Sequence, residues 1–471
     1  MKSFFSPESV AVIGASDKPL KGGHVILKNL RALEYAGAVY PINPRLTEVQ
    51  SWRAYPELGQ VPGPVECVII IVPREAVPAA LRQAAEKGTQ AVIVATAGFS
   101  DAVDGPGLAL QAEVARIAQA APFRMMGPNS IGTIDTRSGF ISGITSHEKL
   151  PPGSVAVFGQ SGMFASGFAN HIRSHQRFGL SKVACLGNKQ DVEEPDLLDF
   201  LAGDEASRVV GMYFEGLGDG RRFLESARRL ARRKPVVVLK SGRTEAGRQA
   251  AAGHTGTLAG SDAIYDGALR QAGLQRAAGL EDFFDCLEAF AHCPIPTGDR
   301  LAVVSITGVG CVLTADAVSQ VGLRFAELKP ETLEDMRSVV PDWAPIRNPV
   351  DMWAAIERFG VEPAYQVLCK AVLEDPGVDA LLVIFTLIEE CDFAAASLLA
   401  SLRRAHPDKA VVAAFLGGEA SIESRWRMDF SKEGIPAFSS VDRAVGAIDA
   451  LVQRGRTLRR WSERPGASGS L

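Results

Sequence analysis

Short apolar runs that stop at glycine, proline or asparagine recur along the chain, each followed by a stretch with helical periodicity. SVAVIG (9–14) is the first, and a helix is expected from Val25 to Tyr35. Further runs cover 38–42, 67–72, 91–95 and 124–126, with helices over 75–87 and 107–120. Continuous rather than alternating apolar runs are the pattern of strands buried on both faces, so each block reads as a parallel sheet wrapped by helices. After a turn-rich stretch at 135–153 the alternation resumes with VAVF (155–158), a small-residue helix over 163–174, and strands at 182–186, 209–214 and 236–240. A second break near 294–299 precedes LAVVSI (301–306) and a third run of alternation to Leu451. The expected fold class is α/β, with domains at 1–145, 150–295 and 299–455. The basic, then Gly/Ser-rich end (456–471) is expected to fray.

The 471 residues suit about three domains. With 46% apolar residues, 22% charged residues and a net charge of −4, the chain has no polycationic character, so nucleic acid is not an expected partner. No apolar run nears the roughly 20 residues of a membrane span. The start, MKSFFSPESV, lacks a signal-peptide core, and the seven scattered cysteines form no CxxC pair. A reducing, cytoplasmic setting without membrane contact is the expectation.

In doubly wound sheets ligands bind beyond the carboxyl ends of the strands. In the first block that edge gathers Gly14, Ser16, Asp17 and Lys21, then Asn43-Pro44, Val72-Pro73, Thr96-Ala97 and Asn129. GASDKPLKGG (14–23) is not GxGxxG. It fits a general phosphate cradle at a helix start, and each of these segments alone fits an ordinary turn equally well. In the second block Gln160-Ser161-Gly162 stands at another strand-to-helix junction, either an anion site or a tight turn. Glu215, ending the strand 209–214, suits a carboxylate that fixes an imidazole, or a loop acid. Beyond VVVLK (236–240), His254 lies among small residues in SGRTEAGRQAAAGHTGTLAGSD (241–262). Alone it reads as an exposed loop histidine. Beside an anion-ready helix start and a strand-end acid, it reads as a nucleophile on a mobile loop, able to carry a phosphoryl group.

Motifs in one order carry a resemblance: SVAVIGAS (9–16), YPINP (40–44), TAGF (96–99), GPNSIG (127–132), GQSG (159–162), GNKQDV (187–192), YFEGLGDGRRF (213–223) and GHTGTLAGSD (253–262). The set resembles the NDP-forming acyl-CoA synthetases, relatives of the succinyl-CoA synthetase α subunit. The resemblance implies an N-terminal Rossmann-like CoA-binding domain followed by two flavodoxin-like doubly wound domains. It implies interconversion of acyl-CoA, ADP and phosphate with carboxylic acid, CoA and ATP, through an acyl phosphate and phospho-His254. By the same matching, Glu215 is implied to steady the histidine and Gln160, Ser161 and Gly162 to receive the phosphate. The first-block residues are implied to hold coenzyme A. No segment resembles an ATP-grasp domain, so ADP/ATP and Mg2+ are expected on a separate ATP-grasp β subunit, in an α2β2 arrangement. Where the family more often has SQSGA, this chain has Gly159-Gln160-Ser161-Gly162-Met163. A CoA or acyl-CoA sensor that kept the fold is the alternative in the binding class. An NAD-dependent dehydrogenase is disfavoured by the missing GxGxxG and by Asn43 where a ribose-binding acid is needed.

Overall fold

In a computed structural model, residues 1–463 are described except 103, 176 and 256–259; the side chains of 165–166 and 252–255 also lie outside the description. The chain divides into two compact units, Met1–Ser174 with Gly179–Arg276, and His175–Phe178 with Ala277–Leu471.

The first unit begins with β1 (Ser9–Ile13), every residue of which is buried. It continues through α1 (Gly22–Ala32), β2 (Ala38–Ile42), the small hairpin β3 (Glu48–Val49) and β4 (Trp52–Arg53), β5 (Cys67–Ile70), α2 (Val77–Glu86), β6 (Ala91–Val94), α3 (Gly105–Ala120) and β7 (Arg124–Met126). The sheet order is β2-β1-β5-β6-β7, with every pair parallel. The apolar runs CVII and AVIV are wholly buried, as covering both faces requires. The chain reverses its direction of winding between β1 and β5, which opens a crevice beyond their carboxyl ends.

Next come β8 (Gly132–Asp135), β9 (Phe140–Ile141), β10 (Pro152–Gly159), a π-helical turn at Met163–Gly167, and α4 (Phe168–His175). They are followed by β11 (Leu180–Cys185), α5 (Glu194–Gly203), β12 (Val209–Phe214), α6 (Gly220–Arg233), β13 (Val236–Lys240), α7 (Glu245–Thr255), α8 (Asp262–Ala272) and β14 (Gln275–Arg276). The sheet order is β14-β13-β12-β10-β11-β8-β9, and its winding reverses between β10 and β12.

Two expectations are corrected here. Part of the turn-rich stretch at 135–153 is strand: β8 runs antiparallel to β11, and β9 to β8. The stretch expected to loop freely through His254 is helical over Glu245–Thr255. Its glutamate, arginine, glutamine and run of alanines are strong helix formers, and they outweigh the glycines.

The second unit contains α9 (Leu280–His292), β15 (Arg300–Ser305), α10 (Gly308–Ser319), β16 (Arg324–Phe325), α11 (Pro330–Arg337), β17 (Val350–Asp351), α12 (Trp353–Phe359) and α13 (Val361–Glu374). It ends with β18 (Ala380–Leu387), α14 (Ala395–Ala405), β19 (Ala410–Gly418), α15 (Ala420–Lys432), β20 (Ala437–Phe438) and α16 (Val441–Ser462). Its sheet follows β16-β15-β18-β19-β20, with β17 also on β15. Residues 456–462, expected to fray, continue α16. Arg454 is buried there, and a Cβ on Gly455 would stand 2.7 Å from the Pro296 carbonyl oxygen. Close packing against the domain pins the helix end.

Candidate functional site in the first unit

At the first crevice Gly14 has φ +101°, and a Cβ there would stand 2.1 Å from the Ile71 carbonyl oxygen. A Cβ at Gly23 would stand 2.1 Å from the Gly14 carbonyl oxygen, so α1 starts hard against the end of β1. Only glycine permits both approaches. Lys21 is the N-cap of α1 and is exposed, with no side-chain cap on the helix start, so the first N–H groups of α1 are not closed off by a capping side chain.

The other residues expected at this edge are tied together. Asn43 Nδ2 donates to the Ala15 carbonyl at 2.8 Å, and Asn43 Oδ1 accepts from the Arg45 N–H at 2.8 Å. Thr96 Oγ1 donates to the Val72 carbonyl at 2.7 Å, and the Asn129 N–H donates to the Thr96 carbonyl at 2.9 Å. Ser16 Oγ accepts from the Lys18 N–H, and Asp17 accepts from the Gln50 N–H. Pro44, Pro73 and Ala97 form exposed points of the rim. All of these residues share one edge of the sheet.

Beyond it the second sheet takes over. Gly187 lies where a Cβ would meet the Pro128 carbonyl oxygen at 2.3 Å, and the Asn188 N–H donates to that same oxygen at 2.8 Å. Ser130 Oγ donates to the Cys185 carbonyl at 2.6 Å. GPNSIG and GNKQDV, far apart in sequence, thus interlock. Asp101 joins them: it accepts from Asn188 Nδ2 at 2.9 Å and from the Gly98 and Phe99 N–H groups. Burial works to raise its carboxyl pKa, but these bonds outweigh burial and hold it below the usual value.

The second crevice, between β10 and β12, holds Gln160 and Glu215, both buried. The Gln160 N–H donates to the Tyr213 carbonyl at 3.3 Å, and the Glu215 N–H to Gln160 Oε1 at 3.4 Å. Ser161 and Gly162 follow, half-buried, and Gly162 approaches the Ile131 side chain. Position 159 has little room for the serine that the family more often carries: a Cβ there would meet Phe164 Cβ at 3.1 Å and Tyr213 Cβ at 3.2 Å. The Phe164–Tyr213 stack fills that space. Of the predicted catalytic pair, Glu215 is placed at this crevice. The main chain of His254 lies in the last turn of α7, while its side chain lies outside the described residues.

Comparison with known proteins identifies the set. Residues 8–136 match a family model described as a CoA binding domain, 152–290 a succinyl-CoA ligase-like flavodoxin domain, and 303–461 a ligase-CoA domain. The acetate–CoA ligase [ADP-forming] II subunit alpha of Pyrococcus furiosus is 35% identical over 459 residues, covering 97% of this chain and 98% of that one. The chain belongs to the NDP-forming acyl-CoA synthetase family.

A solved structure of Ca. Korarchaeum cryptofilum dinucleotide forming acetyl-coenzyme A synthetase 1, in complex with phosphate and ADP, superposes with a TM-score of 0.90. It covers 99% of both chains at 31% identity. The chain spans only 56% of the length of the Archaeoglobus fulgidus acetate–CoA ligase [ADP-forming] II, to which it is 37% identical over 81% of its own residues. Some members of this family are therefore longer single chains, and others are named as subunits. The three sheets agree with the fold class that the family resemblance implies.

Residues around the second crevice that sequence reading passed over are Tyr213, Ser241, Lys189 and Lys240. Lys189 Nζ donates to Glu194 at 3.0 Å and to the Gly216 carbonyl at 2.8 Å, which fixes the turn after Glu215. Lys240, fully buried, has its pKa lowered by burial. A lysine ending an apolar strand, VVVLK, was the available signal. Among the described residues no His/Cys/Asp/Glu group is arranged to hold a metal, and no described helix is long and apolar enough to cross a membrane.

Proposed function

We propose that this chain is the CoA- and phosphate-handling subunit of an acid–CoA ligase that interconverts acyl-CoA, ADP and phosphate with carboxylic acid, CoA and ATP. The observation that carries this reading is the pairing of Gln160 and Glu215 at the reversal point of the second sheet, one connection away from α7 and His254.

The first crevice suits coenzyme A. The glycine-lined start of α1 offers backbone N–H groups to a phosphate, Lys21 adds positive charge, and the rim from Asn43 to Asn129 gives the remaining wall. Bound there, CoA supplies a thiolate leaving group from its thioester. In this reading phosphate attacks the acyl carbon and the thiolate leaves, giving an acyl phosphate. A His254 ring nitrogen then takes the phosphoryl group, and the carboxylate leaves. Glu215 accepts a hydrogen bond from the N–H of the other ring nitrogen and steadies the charge that phosphorylation places on the ring. The turn at Gln160–Gly162, opening into a helix, receives the phosphoryl oxygens. Phospho-His254 finally gives its group to ADP. That nucleotide, with Mg2+, is held by an ATP-grasp β subunit, in an α2β2 assembly; fused relatives would carry the same part within one chain.

The reading is tested by reconstitution. This chain, mixed with an ATP-grasp partner, acyl-CoA, ADP and phosphate, is expected to form ATP. A His254→Ala chain that turned over at the full rate would end it.

A further inference from the structure

Three elements meet on the side chain of Tyr213. Its ring stacks on Phe164 at 4.3 Å between centroids, and Phe164 stands in the turn that follows Gly162. Its hydroxyl donates to Glu215 Oε1 at 3.0 Å. The Tyr213 hydroxyl oxygen also lies 3.0 Å from Oγ of Ser241, the first residue beyond β13. Ser241 is fixed in turn: its N–H donates to the Phe214 carbonyl at 3.2 Å, and its carbonyl accepts from Lys240 Nζ at 2.5 Å. The Lys240 ammonium also lies 4.6 Å from the centre of the Tyr265 ring.

A phenol has one proton to give. Burial, chiefly, pushes the Tyr213 pKa up to about 12, so the proton stays on the oxygen. With that proton on Glu215, the Ser241 hydroxyl must donate to Tyr213. The result is a directed chain, Ser241 to Tyr213 to Glu215, in which each bond polarises the next.

We propose that Tyr213 is a positioning residue for phosphoryl transfer: its hydroxyl sets the Glu215 carboxylate and ties it to the root of the helix carrying His254, while its ring seats the phosphate-receiving turn. The proposal rests on the reading of His254 and Glu215 given above. A carboxylate accepts usefully from an imidazole only when a neighbour holds its orientation. Tyr213 does so through one bond. Because the next bond leads to Ser241, a shift of the β13–α7 connection is felt at the carboxylate.

Tyr213→Phe removes the hydroxyl and keeps the ring on Phe164. Loss of one bond to a charged acceptor is expected to slow phosphorylation of His254 by about tenfold to a hundredfold. A merely structural role would show as lost folding stability or weaker binding, whereas a lost positioning bond is expected to lower the saturating rate and leave the KM for acetyl phosphate and the unfolding temperature unchanged. The other charged groups at this corner are Lys240 from β13, Lys189 from the β11–α5 connection, Glu193 at the start of α5, Arg248 on α7, Asp262 on α8 and Arg276 on β14. None is altered by the substitution, so the change in rate isolates the lost bond.

The experiment uses the full chain with 32P-labelled acetyl phosphate, following the rate of acid-labile labelling over a series of acetyl phosphate concentrations. Wild type, Tyr213→Phe, Ser241→Ala and His254→Ala are compared, with thermal unfolding as a check on folding. The expected result is a Tyr213→Phe with a lowered saturating rate and unchanged KM, an intermediate Ser241→Ala and no label on His254→Ala. A Tyr213→Phe chain that is labelled at the wild-type rate, or one slowed only through a raised KM or a lost fold, overturns the proposal and leaves the underlying reading intact. A wild-type chain that takes no label, or label that survives His254→Ala, overturns that reading itself.

Discussion

Asn188 donates to Asp101 at 2.9 Å, and through that bond the connection after β11 is fastened to the connection after β6. The candidate CoA crevice and the candidate phosphate crevice belong to different sheets, but their rims share this contact and the Gly187–Pro128 approach.

Asp101 gives a pH prediction. Its carboxyl is held below the usual value by Asn188 and two backbone donors against the opposing effect of burial. A depressed carboxyl stabilises the fold above its unfolded pKa, near 3.9, and that contribution is lost as pH falls through the folded value. The stability difference between wild type and Asp101→Asn, measured by urea unfolding, is therefore expected to be full at pH 6 and to shrink below about pH 4. A difference that stays constant down to pH 2 would contradict the assignment.

Gly14→Ala would place a methyl group 2.1 Å from the Ile71 carbonyl oxygen at a φ of +101°. The end of β5 must shift or the turn must be rebuilt, at a cost of about 3 kcal/mol. Denaturant unfolding measures the loss, and calorimetric titration with CoA is expected to show binding abolished. A variant of unchanged stability that still binds CoA would show that the crevice is more plastic than its geometry implies.

In the second unit Arg177 is clamped between Asp285 and Glu288, with Arg443 also on Asp285 at 2.6 Å. Arg177→Met leaves two buried acids short of a partner. It is expected to cost about 3–5 kcal/mol, more than a surface pair would, because the penalty is that of an uncompensated buried charge. Replacing Arg177 and Glu288 together by apolar residues is expected to recover part of the loss. Equal destabilisation by the single and double variants would argue against the charge explanation.

Much of this architecture is readable from the chain. SVAVI, CVII and AVIV are buried strands because nothing in them but Ser9 is polar, and the stops at Gly14, Asn43, Gly98 and Gly159 mark the edge where ligands are expected to gather. VVGMYF announces both the strand and the acid at its end. What escapes is either local competition or distance. Glu245–Thr255 reads as a loop because its glycines and alanines lack an apolar stripe, although its helix formers prevail. The strand β8 is specified by its pairing with β11, not by its own residues. Tyr213 and Ser241 meet across 28 positions, and Asp101 and Asn188 across 87, spacings that no local pattern encodes.

The central claim is that His254 carries the phosphoryl group with Glu215 as its partner. It is tested most directly by isolating the phosphoenzyme formed with 32P-labelled acetyl phosphate and mapping the label. The account predicts one acid-labile, base-stable phosphate per chain on His254, absent in His254→Ala and formed at least about tenfold more slowly in Glu215→Gln. Label on another residue, or labelling at the wild-type rate without Glu215, would contradict it.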